Sequence, residues 1–175
     1  PDIRIAPAKG KTLSLDSVNL DDIIRWDELE AIAPTLEETV FLQFKDQQSI
    51  VTLRGVSESY LPYLGLEEHL VEGEIGITWN GYPRALLGYG IADNLNLFIS
   101  DGYDGIKVFA AKRDGANSLN PESKFIQERI VPMGIVSLNP EFDYTYFYVP
   151  FDFASNLLQY ENQASFIDMT LTSGT

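Results

Sequence analysis

The residues of this chain that could do chemistry are few and poorly spaced for it. His69 is the only histidine and there are no cysteines. Thiol catalysis, thiolate metal sites and disulfides are therefore excluded together, and a histidine-based zinc site lacks its second imidazole. A Ser-His-acid triad would need His69 itself, which stands beside Glu67 and Glu68 with no nucleophile motif to join it, so it reads as a surface histidine. Gly10-Lys11-Thr12 ends like a phosphate-binding loop, but the first glycine of that motif falls on Ile5 and no helical period follows. Gly88-Tyr89-Gly90-Ile91-Ala92-Asp93 comes closer to a dinucleotide fingerprint, because it joins a strand-like run to a helical one. Its third glycine is Asp93, however, and no repeated βαβ unit surrounds it, so the glycines read as a tight turn with close packing and Ala92 and Leu95 as core. Asp101 and Asp104 lack the repeated Asp/Asn ligands of a calcium loop, and Glu37 with Glu38 reads as a solvated face. The aromatic group Phe142, Tyr144, Tyr146, Phe147, Tyr148, Phe151 and Phe153 could stack a ligand, although strand alternation favours core packing plus one amphipathic face. No catalytic, cofactor-binding or metal-binding constellation emerges, and the chain reads as a non-enzyme that needs no cofactor.

Charge is more informative. The chain carries 12 basic and 26 acidic residues, a net of −14, which argues against nucleic acid and against broad adsorption to anionic lipid. Residues 107–129 alone invert the sign: Lys107, Lys112, Arg113, Lys124 and Arg129 face Asp114, Glu122 and Glu128, a net of +2, against −16 for the remainder. Within that window, residues 114–124 are rich in turn formers and show neither a 3.6 nor a 2.0 apolar period. They are expected to project into solvent as a hairpin loop between two strand-like runs, the form that binding loops take.

The elements that must position this loop follow from the periodicity. Ile3 and Ile5 alternate with Arg4 in a first strand. Asn19 with Asp21 and Asp22 marks a helix start, and Ile23, Trp26, Leu29 and Ile32 predict a helix over about 20–32 that Pro34 stops. Residues 40–44 and 49–54 predict a hairpin across Lys45-Asp46-Gln47-Gln48. A short helix near 59–64, a loop at Glu72-Gly73, strands at 84–87, 106–111, 129–138, 144–149 and 167–171, and helical turns after Gly90 and Asp152 complete the reading. Pro132 requires the 129–138 strand to bend or to sit at an edge. With 45% hydrophobic and 12% aromatic residues the chain can bury a core without staples, and no apolar run reaches the ~18 residues of a spanning helix. The order predicts an α+β fold: one α/β lobe from residues 1–47 and 144–175, with a mostly β lobe inserted at 48–143 that carries the 114–124 hairpin.

Several short motifs come in an order that resembles a known family. They are Leu53-Arg54-Gly55-Val56, Val71-Glu72-Gly73-Glu74, Leu87-Gly-Tyr-Gly90-Ile-Ala-Asp-Asn-Leu95, Gly105-Ile-Lys-Val-Phe109, Met133-Gly-Ile-Val-Ser-Leu138 and Tyr148-Val-Pro-Phe-Asp-Phe-Ala-Ser-Asn-Leu-Leu158. Together they resemble the extracytoplasmic domains of FtsX/MacB-type ABC transporter permeases, and most of all lipoprotein-releasing permeases of the LolC/LolE kind. Asp101-Gly-Tyr-Asp-Gly105 departs from the simpler Gly-Asp turn of that family. The resemblance implies porter-like and sabre-like lobes and an inner membrane location in a Gram-negative bacterium, with this domain in the periplasm. It also implies a second permease subunit, a cytoplasmic ATPase subunit, lipoprotein cargo and a LolA-like periplasmic carrier. Carried over by position, a carrier-binding hook is Ser118, Leu119, Asn120, Pro121, Glu122 and Ser123, with Lys124 alongside, and a pad is Lys107, Gln127 and Arg129. The same motifs leave open a MacB- or FtsX-type exporter or regulatory permease, and composition leaves open a freestanding secreted binding or hydrolytic protein with an aromatic cleft.

Overall fold

A computed structural model describes residues 1–113 and 119–173. Along the chain run β1 (Ile3–Ile5), β2 (Leu13–Ser14), α1 (Leu20–Ile23), β3 (Leu29–Phe44), β4 (Gln47–Val56), β5 (Leu70–Gly73), β6 (Thr78–Trp79), β7 (Tyr82–Gly88) and α2 (Tyr89–Leu95). Then come β8 (Ile106–Ala111), β9 (Phe125–Val136), α3 (Pro140–Asp143), β10 (Tyr146–Pro150), α4 (Phe151–Leu158), β11 (Gln163–Ala164) and β12 (Phe166–Leu171). The architecture is α+β and strand-rich, as expected. Among the described residues, no helix is long and apolar enough to cross a membrane.

The largest departure from the sequence reading is at residues 20–44. The expected helix is one turn, α1, and residues from Leu29 onward form the sixteen-residue β3. The three-residue apolar spacing misleads because it buries no helical face: Trp26 is exposed, and Ile23 and Leu29 are only half-buried. Pro34 does not stop this element; it lies inside the strand. It is tolerated because only one edge of β3 is paired there, with β12 opposite Pro34 at Ile167, while β4 joins the other edge from Leu36 onward. Glu72 and Gly73, expected in a loop, are the last two residues of β5, and Tyr144, expected in a strand, is the residue that closes α3.

Pairing runs β1-β12-β3-β4-β10-β7-β9-β5, and β8 bridges β9 back to β3. The strands β3, β4, β10, β7, β9 and β8 therefore form a closed circuit. Their inward residues, among them Leu42, Leu53, Leu87, Val108, Ile130 and Phe147, share one core with Ile91 and Leu95 of α2 and Leu157 of α4. A second core on the opposite face holds Tyr148, Leu86 and Val136 beneath Leu61, Leu66 and Ile77. Pro132 is accommodated by a register shift against β7: Ala85 pairs with Pro132, and the next residue, Leu86, pairs with Gly134. The two chain ends meet, since β12 pairs with both β1 and β3.

Candidate partner-docking surface

The two flanks of the basic window pair as strands, and residues 114–118 of the expected 114–124 loop lie outside the described residues. Strands β8 and β9 pair from Ile106↔Ile130 to Ala111↔Phe125, and the Lys112 N–H donates to Lys124 O at 2.8 Å just beyond the last pair. Past that closure Pro121–Lys124 forms a 3₁₀ turn, steadied by the Ser123 hydroxyl donating to Asn120 O at 2.7 Å. Leu119 is fully exposed, at 103% of its reference area, and Asn120, Pro121 and Lys124 are exposed beside it. Ser118 lies outside the described residues, and so does the side chain of Glu122.

Strand alternation places Lys107, Gln127 and Arg129 on one face. Lys107 pairs directly with Arg129, and Phe109 with Gln127. Two cations directly opposite one another cost stability. The cost is eased because Arg129 Nη1 donates to Asp104 O at 2.5 Å, with its stem laid over Gly105, where a Cβ would sit 2.7 Å from Arg129 Cγ.

Sequence reasoning missed the residues between these cations. Register carries one row across four strands, Ile50–Phe41–Phe109–Gln127, and the next row is Gln48–Gln43–Lys107–Arg129. Phe41 and Phe109 meet edge to face at 5.7 Å between centroids, and Ile50 is 71% exposed. Phe125, half-exposed, extends the apolar area toward the hairpin tip. The available signal was that β3 and β4 carry apolar residues on both faces, Phe41 between Val40 and Leu42 and Ile50 beside Val51, where one buried face needs only alternate positions.

Farther along the same face the row is closed by packing. Arg54 Nε donates to Glu37 Oε2 at 2.7 Å and Arg54 Nη1 to the Tyr148 hydroxyl at 3.2 Å, while the guanidinium lies 3.8 Å over the Tyr146 ring. Phe142, Tyr146 and Tyr148 pack on one another, so these aromatics serve as core and amphipathic face. Burial raises the Tyr148 phenol pKa, against the opposing pull of Arg54. Arg54 is lowered by burial but raised overall by Tyr148 and Glu37. A phenol with a raised folded pKa contributes stability that is fully present below the unfolded value of about 10 and is lost as pH rises through the folded value. Chemical denaturation between pH 8 and pH 11 should show stability falling above about pH 10, with a shallower fall in Tyr148→Phe.

The remaining chemical motifs are structural. Gly88 and Gly90 leave room for α3 and Tyr144: a Cβ on Gly88 would lie 2.3 Å from Asp143 O, and one on Gly90 2.5 Å from the Tyr144 ring. Ala92 and Leu95 are buried. Thr12 donates to the Gln163 side chain and Lys11 pairs with Glu38 at 3.5 Å, in a segment that continues as strand β2. His69 is exposed, with Nδ1 3.1 Å from Ser137 O. Among the described residues, no three His, Asp or Glu side chains converge as metal ligands.

No family model matches the chain, and no curated protein matches it in sequence. Solved structures do resemble it. The extracellular domain of the noncanonic ABC-type transporter YknZ from Gram-positive bacteria superposes with a TM-score of 0.59 at 12% identity, over 95% of this chain and 76% of that one. The periplasmic region of MacB from Actinobacillus actinomycetemcomitans gives 0.61 at 15% identity, over 93% of this chain and 66% of that one. The chain has the mixed α/β, strand-rich fold of these extracytoplasmic ABC transporter domains.

Proposed function

We propose that this chain is the extracytoplasmic domain of an ABC transporter permease and that it docks a soluble envelope partner on the β8–β9 hairpin and the sheet face beside it. The observation that carries this is the fully exposed Leu119 just beyond the Lys112–Lys124 hydrogen bond that ends the β8–β9 pairing, in the same sheet that carries the half-buried Phe41–Phe109 contact, the exposed Ile50 and a row of cations in an otherwise acidic chain. Apolar side chains standing free in one contiguous area mark interaction sites. Leu119 and Pro121 are the apolar anchors, with Ser118, Asn120, Glu122 and Ser123 completing the hook. Lys107, Lys124, Gln127 and Arg129 form the polar and cationic rim.

The motif order supports the finer reading: a lipoprotein-releasing permease of the inner membrane of a Gram-negative bacterium that passes lipoprotein cargo to a LolA-like carrier. In that reading the segments 1–47 with 144–175 and the inserted 48–143 correspond to the two lobes, joined here through one sheet circuit and one core, and the domain works beside a second permease subunit and a cytoplasmic ATPase subunit. The similarity to MacB and YknZ favours a second reading, an exporter of that kind. Both readings predict that the full-length gene encodes one membrane helix before this domain and three after it. A gene without them would return the chain to the freestanding secreted class. Capture of a LolA-like carrier by the purified domain separates the two transporter readings, because only the lipoprotein-releasing one requires it.

A further inference from the structure

A second groove lies away from the hairpin, with the opposite charge. It is a cavity of about 110 Å³ between β5 and the C-terminal end of α2. Ala92, Leu97 and Ile135, all buried, belong to its lining, and Val71, Tyr89 and Phe98 stand around it 52, 50 and 55% exposed. Three large apolar side chains around one concavity are unlike the scattered single exposures of an ordinary surface. Two carboxylates, Glu72 and Asp93, complete the lining, and no basic residue contributes to it.

The positions of these groups are held by the fold. Glu72 Oε1 accepts the Ile99 N–H at 2.9 Å, which ties the segment carrying Phe98 to β5 and holds the carboxylate at the groove. Asn96, in the left-handed conformation, ends α2, and its N–H returns to Asp93 O at 3.0 Å while the Leu97 N–H returns to Ala92 O at 2.9 Å. Among the described residues, the acidic partners in ion pairs are Asp168, Glu38 and Glu37, so neither Glu72 nor Asp93 is neutralised by a paired cation. The segment that supplies all of the lining but Ile135 has the same sign: residues 55–106 carry eight acidic residues and one basic one, Arg84, whose Nη1 donates to Pro83 O. Among the described residues, strand β5 is also the last strand of the sheet, with β9 as its one strand partner.

We propose that this groove binds a basic, extended segment of a partner protein, taking a Lys or Arg side chain against the rings of Tyr89 and Phe98 and the carboxylates of Glu72 and Asp93. Aromatic faces attract a cation through their quadrupole, carboxylates add charge and hydrogen bonds, and an extended backbone can continue the sheet at an edge. The site does not depend on the hairpin reading. The net charge of −7 over residues 55–106, the segment that builds most of the groove, selects against acidic segments.

The test titrates the whole domain with acetyl-Val-Arg-Val-Arg-Val-amide at roughly 0.15 M salt, following amide and aromatic resonances. Saturable shifts confined to Val71, Tyr89, Asp93 and Phe98 are expected. A Phe98→Ala, Asp93→Asn double variant should weaken binding by about tenfold or more with an unchanged melting temperature, and the same peptide with Glu for Arg should not bind. Leu119→Ser should leave binding intact. Shifts spread over the acidic surface without saturation, equal binding by the double variant, or binding of the Glu peptide would each overturn the proposal.

Discussion

Gly88→Ala is expected to cost about 3 kcal/mol of folding stability, a large share of the margin of a domain this size. The new Cβ would lie 2.3 Å from Asp143 O and 2.6 Å from Asp143 Cα, both backbone atoms, so no rotamer change relieves the clash. Nor can α3 easily withdraw. The buried Asp143 carboxylate accepts the Ser137 hydroxyl at 2.6 Å and the Leu138 N–H at 2.8 Å, and Asn139 Oδ1 accepts the Phe142 N–H at 2.9 Å. Gly81→Ala is the control, since a Cβ there meets nothing within 4 Å and pays only for the left-handed φ of +80°, about 1 kcal/mol. Urea denaturation of the two variants measures the contrast. Equal small losses would show that Gly88 has room to spare and is not required for packing against α3.

The second large effect is on binding. Replacing Leu119 and Pro121 together by serine should weaken capture of the soluble partner by about thirtyfold, the equivalent of ~2 kcal/mol for apolar anchors at an interface. The melting temperature should not move, because Leu119 contributes no buried area to the fold. Lys124→Glu should act differently, slowing association at low salt and losing its effect as salt rises, because exposed charges steer encounter more than they hold the complex. Affinities across a salt series separate the two. An anchor variant whose defect disappears at high salt would show that charge, and not apolar contact, does the holding.

What was legible in the sequence depended on whether local pattern or distant pairing decides the structure. The 40–54 hairpin, the 106–111 strand, the helix after Pro150 and the terminal strand were readable, because alternation and turn residues there agree with the tertiary result. The 20–32 segment was not. Its capping residues do start a helix, but from Leu29 onward the partners are β12 and then β4, and pairing with residues over a hundred positions away outweighs a three-residue spacing. The paired strands β8 and β9 were visible as apolar runs on either side of the charge inversion. The Ile50–Phe41–Phe109 row was not, since which of two apolar faces is covered depends on where residues 57–81 pack, and they cover the Tyr148 end only. The groove at Val71, Tyr89 and Phe98 joins three separate segments through a strand, β5, that the sequence disguised as loop.

The most direct test is site-specific photo-crosslinking in cells, with the probe placed in turn at Leu119, Ile50 and Ile24 of the full-length protein. Ile24, the residue that closes α1, is 57% exposed and lies outside the four-strand docking face, so it controls for exposure alone. The docking account predicts adducts with the same soluble envelope protein from Leu119 and Ile50 and none from Ile24. Adducts of equal yield from all three positions, or from Ile24 alone, would contradict it.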